Sequence, residues 1–439
     1  MRIEAAQVHS TLAKSTLCEG YPMVLDLERS HGQWLVDALT GKEYLDFFTF
    51  YASRPLAFDH PRLRDRDFID RLEHAARMKP SNGDIYTSLY AEFVETFRTK
   101  AMGPGCQHLF FVDGGGLAVE NALKTAFDWK CRKNMAAGRG ENPGRVLHFT
   151  HAFHGRTGYT LSLTNTHDPR KTQYFPKFDW PRVSSPAMVF SADGGGAQQT
   201  IAAEEAALAE IDRAYDRLGA HEIACIIIEP IQAEGGDRHF RPEFLRSLRK
   251  ICDEREALLI FDEVQTGIAS TGTMWLYEQL DVRPDVVAFA KKAQTGGIMA
   301  GARIDEVDSV FKVKSRISST FSGNLVDFVR CTRYLEVIES EHLLDNAKKQ
   351  GAHLMAGLEA MARSRPRVEA VRGRGLLCAF DVPSTQIRDA LVNKARELCL
   401  LVLPCGDRAV RLRPALDVTP KDCDLALERL DQAAAAVLG

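Results

Sequence analysis

The chain has 439 residues, 45% of them apolar and 26% charged, with a formal net charge of −3. That length supports two sizeable lobes, the composition is ordinary for a globular protein, and the charge makes no case for nucleic-acid binding. The opening stretch lacks the apolar core of a signal peptide, no run approaches a membrane span, and the ten cysteines, without a CxxC pair, read as free thiols of a cytoplasmic protein.

Residues 1–60 predict an arm followed by short strands. Residues 24–27 and 33–37 flank the turn Ser30-His31-Gly32, and Leu39-Thr40-Gly41 turns into a further strand over 44–48. Residues 79–83 are a loop by composition, and 89–100 carry Leu89, Phe93, Val94 and Phe97 at helical spacing. Next, the apolar run 109–112 meets Asp113-Gly114-Gly115-Gly116. A segment follows with Val119, Ala122, Leu123, Ala126 and Phe127 on one helical face. A strand, a glycine loop and a helix N-terminus in succession make an anion site, because first-turn N–H groups are free and glycine lets a phosphate approach. A plain tight turn uses the same glycines, so this loop takes its meaning from its company.

Residues 146–156 hold His148, His151 and His154 at spacings of three. With no HExxH and no cysteine nearby, no metal site is expected. Phe153 and Arg156, at the end of this strand, suit stacking on a flat ring and clamping a carboxylate. The plainer reading of Arg156 is a surface ion pair. Residues 165–196, with several prolines and Gly194-Gly195-Gly196, read as a loop, and 201–218 as a helix. A buried strand over 223–228 ends in Glu229-Pro230 and leads to a glycine-flanked loop with Glu234 at its centre.

The stretch 257–301 carries the most chemistry. Leu258-Leu259-Ile260-Phe261 reads as a buried parallel strand ending in Asp262-Glu263, where open α/β sheets place their ligands. A second apolar run, 286–290, ends in Lys291-Lys292 and then Gly296-Gly297. Four apolar residues before two acids also occur in P-loop NTPases. That reading needs GxxxxGK[ST], and the chain's Gly41-Lys42 pair is followed by Glu43. A lysine pair is ordinarily a solvated surface feature, but this one lies between a core strand and a diglycine. Neighbouring residues of an extended segment point opposite ways, so at most one lysine faces a site. An acid and a lysine at the ends of two core strands suit a cofactor aldehyde held as a Schiff base, its ring nitrogen kept protonated by the acid.

From Arg330 the pattern becomes long helices. The stretch 373–380, strands over 400–403 and 409–414, a helix over 384–399 and a last helix complete a smaller α+β lobe. No internal repeat, GxSxG or GxGxxG motif occurs, which removes the simplest hydrolase and dinucleotide readings.

With these residues laid out, nearly the whole chain resembles the class III, fold type I, pyridoxal-phosphate-dependent aminotransferases. The class resemblance rests on Asp262-Glu263-Val264-Gln265 and on Pro284-Asp285 before Lys291. Longer strings, AFHGRTGYTLSLTNT (152–166), FPKFDWPR (175–182), EPIQAEGGDRHFRPEF (229–244) and DEVQTG (262–267), are similar to the lysine 6-aminotransferase branch of that class. The resemblance implies an α/β fold: a large domain over 61–330 with a mostly parallel sheet flanked by helices, and a small α+β domain over 331–439. Residues 1–60 would pack with the small domain.

It also implies a site. Lys291 resembles the Schiff-base lysine, with Lys292 its outward neighbour, and Asp262 the partner of the pyridine nitrogen. Gln265 resembles the ligand of the phenolic oxygen, Phe153 the stacking aromatic, and Gly115 and Gly116 the phosphate-loop amides. Thr320 resembles a phosphate contact donated by the partner of a homodimer. For substrates, Arg156 resembles the clamp for the far carboxylate, Arg413 the clamp for the near carboxylate of 2-oxoglutarate, and Glu234 a gate that covers Arg413 when lysine is bound. Ser318 stands where the class has asparagine near the substrate carboxylate, Gly116 replaces a small side-chain residue, and Ile268-Ala269-Ser270 departs from a glycine-containing stretch. The implied activity moves the ε-amino group of L-lysine to 2-oxoglutarate. Ornithine or 4-aminobutyrate as donor, an aminomutase, and a non-enzymatic cofactor-binding protein are the alternatives.

Overall fold

A computed structural model describes residues 3–190 and 196–439 of the chain; of the triglycine at 194–196, Gly194 and Gly195 lie outside the described residues and Gly196 opens the helix Gly196–Leu218. The centre is a seven-stranded sheet in the order Cys106–Val112, Gly296–Gly301, Val286–Phe289, Leu258–Asp262, Ile223–Ile228, Arg145–Phe149, Arg182–Val183. Gly296–Gly301 runs antiparallel to both its neighbours, and the pairs from Val286–Phe289 outward to Arg182–Val183 are parallel. Every residue of Ile223–Ile228 and Leu258–Asp262 is buried, as unbroken apolar runs require when helices cover both faces.

The two faces are filled differently. On one, the helix Gly115–Ala136 lays Val119, Leu123 and Trp129 against Ile227, Leu258, Ile260 and Val286. On the other, Phe93 of the helix Ser88–Lys100 stacks on Phe328 of Leu325–Ser340 with centroids 4.3 Å apart, and Phe97 stacks on Phe289 at 4.9 Å. Each such ring removes apolar surface worth about 1.5–3 kcal/mol from water.

The N-terminal strands differ from the sequence reading. Residues 24–27 make only a bridge, Leu25 to Asp37, and the ladder forms instead between Trp34–Val36 and Glu43–Asp46. Two aspartates explain this by accepting backbone N–H groups that a longer ladder would need. Asp26 Oδ1 accepts from Glu28 and Arg29, and Asp37 Oδ1 from Val24 and Leu39. The second strand stops at Asp46 rather than 48, because Asp46 Oδ1 takes the N–H groups of Phe48 and Thr49 and turns the chain. Glu43–Asp46 also pairs in parallel with Leu400–Leu401, which ties the first fifty residues to the last forty. A four-stranded antiparallel sheet, Glu369–Arg374, Leu377–Asp381, Ala409–Leu412 and Leu403–Cys405, and the helices Leu343–Ser364, Thr385–Glu397 and Pro420–Leu438 make up the rest of the C-terminal part. The edge strand Arg182–Val183 falls within the stretch read as loop, too short to show periodicity.

At the amino end of the lysine-bearing strand, Asp285 Oδ2 accepts from Leu259 N at 2.7 Å and from Arg249 at 2.8 Å, with Arg303 at 3.3 Å. Removing the carboxylate leaves two guanidinium groups and a buried N–H without it. Asp285→Ala should therefore lower unfolding free energy in chemical denaturation by about 3–5 kcal/mol, with little change in turnover of the molecules still folded.

Candidate active site

The parallel strands Arg145–Phe149, Ile223–Ile228, Leu258–Asp262 and Val286–Phe289 all point their carboxyl ends at one cavity of about 1100 Å³. Chain leaving those ends brings Phe153, Glu229, Asp262 and Lys291 to its wall, and the glycine loop brings Gly114, Gly115 and Gly116.

Asp262, the last residue of its strand, is 4% exposed. Its Oδ2 lies 2.8 Å from His154 Nδ1, and its Oδ1 accepts from Val264 N at 3.0 Å. The sequence reading weighed His154 only as a metal ligand. It is instead the buried partner that orients Asp262, and among the described residues no group of His, Cys, Asp and Glu could hold a metal. His148, at the other end of the spacing of three, is buried and pushed down to about 3 by that burial. Glu229, also not singled out, accepts from Phe153 N at 2.8 Å and so sets the aromatic that lines the cavity. Burial, and then the neighbouring Asp262, push the Glu229 carboxyl well above its ordinary range.

Lys291 turns the chain with φ of 43°, in the left-handed region that a side chain disfavours and that clusters at functional sites. Its amine opens on the cavity and is lowered to about 8, by burial first and then by Arg411. Lys292 is directed away from the cavity, as expected, though by the turn at Lys291–Ala293 and not by strand alternation, and not into water: it is 3% exposed and donates to Ala52 O at 3.0 Å. "Outward" here means into the interior of the protein.

The glycine loop lies directly on the antiparallel strand. A Cβ at Gly296 would stand 2.3 Å from Gly114 O, and one at Gly115 2.8 Å from Val264 Cγ1, so both positions demand glycine. The first amides of the helix Gly115–Ala136, Gly115 and Gly116 among them, have no partner within the helix. Gln265 Oε1 accepts from Arg411 at 3.0 Å and from Arg413 at 3.2 Å, which leaves its NH₂ to donate elsewhere.

Two substrate assignments need correction. Arg413 does not line the cavity: it is held by both oxygens of Asp237, at 2.5 and 2.7 Å, with both residues about 1% exposed. Burial alone would raise the Asp237 carboxyl, but Arg413 and then Arg411 hold it below the usual range. Arg411, two residues earlier, does line the cavity. Glu234 lines the same cavity but pairs with Lys171 at 2.5 Å, not with Arg413. Lys171 in turn stands 6.0 Å from the centre of the Phe153 ring. Arg156 lines the cavity from an exposed position. Ser318 and Thr320 are exposed and outside this chain's cavity, on a loop whose Ser319 carbonyl lies against Gly83.

The chain matches the family model of class III aminotransferases over residues 18–434. It belongs to the class III aminotransferases. The L-lysine-epsilon aminotransferase of Mycobacterium tuberculosis is 53% identical over 425 residues, covering 96% of this chain and 94% of that one. A protein of the same name from Amycolatopsis lactamdurans is 50% identical, covering 97% and 95%. Among solved structures, the lysine aminotransferase from M. tuberculosis in the internal aldimine form is similar with a TM-score of 0.96 at 51% identity, covering 99% of this chain and 100% of that chain.

The cofactor of this aminotransferase is pyridoxal 5′-phosphate, and the cavity suits it. The glycine loop, where a Cβ at Gly115 would strike Val264, opens beside free helix amides, and the buried Asp262 carboxylate and the Lys291 amine face the same space. Because a lysine captures an aldehyde only as the neutral amine, the rate of cofactor uptake by the apoenzyme should rise with pH and level off above about 8. An ordinary lysine would keep the rate rising beyond 10. Following the visible absorbance during reconstitution at a series of pH values measures this, and Lys291→Ala should abolish the absorbance altogether.

Proposed function

We propose that this aminotransferase moves the ε-amino group of L-lysine to 2-oxoglutarate, giving 2-aminoadipate 6-semialdehyde and L-glutamate. The observation that carries the reading is that Arg156, Arg411 and Glu234 share the wall of the cavity onto which Lys291 and Asp262 open. The likeness to relatives named L-lysine-epsilon aminotransferase supports lysine as the donor. Lysine carries no carboxylate beside its ε-amine, whereas 2-oxoglutarate carries one beside its carbonyl. A buried arginine facing the reacting carbon is matched by the second substrate and left unpaired by the first. Glu234 resolves the conflict by covering Arg411 in one half-reaction and moving aside in the other, where Lys171 holds it. Arg156 clamps the carboxylate far from the reacting carbon in both halves.

The roles of the remaining residues follow from their contacts. The cofactor, when bound, supplies an electron-poor ring that takes up the electron pair left when a substrate carbon loses its proton. Asp262 holds the proton on the ring nitrogen, and His154 keeps that carboxylate in place. Lys291 carries the proton between the substrate carbon and the cofactor's C4′. Phe153 stacks on the ring, Gln265 donates its NH₂ to the phenolic oxygen, and the Gly115 and Gly116 amides bind the phosphate. We infer a cytoplasmic homodimer in which Thr320 contacts the phosphate, and Ser318 the substrate, in the other subunit's site.

Single-turnover spectra of the two half-reactions, followed separately, test the assignment. Arg411→Ala should slow the 2-oxoglutarate half-reaction at least tenfold more than the lysine half, since a charge-assisted hydrogen bond contributes about 1.5–3 kcal/mol. Glu234→Gln should weaken the lysine half and make glutamate a better donor relative to lysine. Equal losses in both halves for both variants would defeat the two-substrate reading, and faster turnover of ornithine or 4-aminobutyrate than of lysine would defeat the choice of donor.

A further inference from the structure

Thr49, Phe50, Tyr51 and Ala52 have φ of 41°, 51°, 60° and 64°, four successive non-glycine residues in the left-handed region. Side chains disfavour that conformation singly, and a complete turn of it persists only where its surroundings impose it. The constraints are visible. At the entrance, Asp46 Oδ1 accepts from Phe48 N at 3.0 Å and from Thr49 N at 2.7 Å. Thr49 Oγ1 donates to Arg413 O at 2.6 Å. At the exit, Gln294 Nε2 donates to Ser53 O at 2.6 Å, and Lys292 Nζ donates to Ala52 O at 3.0 Å. Within the turn, Ser53 N and Arg54 N both reach Thr49 O.

This turn carries an aromatic wall of the cavity. Phe48, Phe50 and Tyr51 all line it, with Tyr51 5.0 Å and Phe50 5.4 Å from Phe48 by ring centroid, and Tyr21 5.7 Å from Phe48 on its other side. Lys292 follows Lys291 directly in the chain, so one residue joins the two sides of the site. Burying a lysine against a lone carbonyl is unfavourable, and an apolar side chain of similar length would fill the same space with less penalty. The hydrogen bond to Ala52 is what the lysine adds.

We propose that Lys292 is a positioning residue: it ties the strained turn at 49–52 to the segment bearing Lys291, and so sets the aromatic wall at working distance from the reacting carbon of the substrate. The inference rests on the reading that this cavity holds the amine donor. Lys292 acts through the turn and touches neither substrate nor cofactor.

Three variants of the cofactor-loaded enzyme test it. Lys292→Met keeps length and loses the donor. It should retain the visible absorbance of the bound cofactor, raise KM for the amine donor about tenfold and leave kcat within threefold. Adding Ala52→Gly should recover most of that KM, because glycine adopts positive φ without strain. Ala52→Val keeps Lys292 but loads the turn with a branched side chain, and should raise KM as Lys292→Met does. Hydrogen exchange of the peptide spanning 47–56, in the absence of substrate, reads the turn directly and should quicken in Lys292→Met while the strand at 258–262 is unchanged. An unchanged KM and unchanged exchange in Lys292→Met would overturn the proposal, as would a loss that Ala52→Gly does not relieve. Should Lys292→Met fail to fold, an unchanged KM in Ala52→Val overturns it. Quickened exchange at 47–56, with no amine donor turned over by the unaltered enzyme, would instead mark a failure of the proposed function and leave the tie standing.

Discussion

Two arginines stand two residues apart at the end of one strand, and a single buried ion pair decides what each can do. Asp237 holds Arg413 with both carboxylate oxygens, out of reach of water, and thereby anchors the C-terminal sheet to the loop that follows the strand Ile223–Ile228. With Arg413 neutralised, Arg411 is the guanidinium left to face the cavity. Gln265 bridges the two, its carbonyl oxygen taken by both arginines, so the same ion pair also fixes which end of that amide faces the site. The Arg413 backbone carbonyl receives the Thr49 hydroxyl, which carries the constraint on to the left-handed turn. Breaking the pair would strand a buried charge and release three parts of the wall together.

Around that anchor the cavity balances charge on a small scale. Lys291 and Lys292 are both lowered by burial, to about 8 and about 7, and each feels a neighbouring cation. Glu229 is raised by burial and by Asp262. Such opposed shifts are what an active site built from core strand ends produces, since every charged group there has lost water and must find its compensation in another. The amine of Lys291 is thereby brought within reach of neutrality near physiological pH, a condition for both capturing an aldehyde and accepting a proton from carbon.

Polar residues with no role in binding or chemistry assigned to them hold that space in shape. His154 fixes Asp262, Glu229 fixes Phe153, Asp285 fixes the amino end of the lysine strand, and Asp46 ends a strand early so that the next turn can reach the cavity. None of these follows a motif. Each is a polar side chain meeting a partner far away in sequence or a backbone N–H that would otherwise be orphaned.

The sequence by itself determined the central strands, the glycine loop with its helix, the acid and the lysine at two strand ends, and through long matching strings the class. These are local properties: an unbroken apolar run is buried on both faces wherever it folds, and a glycine loop before a helix leaves amides free in any context. Gln265, Phe153, Glu234 and Arg156 were also legible, and all reach the cavity. The resemblance pointed to Arg413, whereas the structure puts Arg411 on the cavity wall. Residues two apart on an extended strand project to the same side, so alternation cannot separate them. Only the arrival of Asp237, 176 residues upstream of Arg413, does so. Likewise alternation predicted that Lys292 points away from the site, and it does, through a tight turn; whether "away" meant water or protein depended on residues 49–52 being folded against it. Positions follow from local pattern; partners, and with them charge states, were decided by tertiary structure, because an ion pair or a buried hydrogen bond is a relation between segments that no single segment encodes.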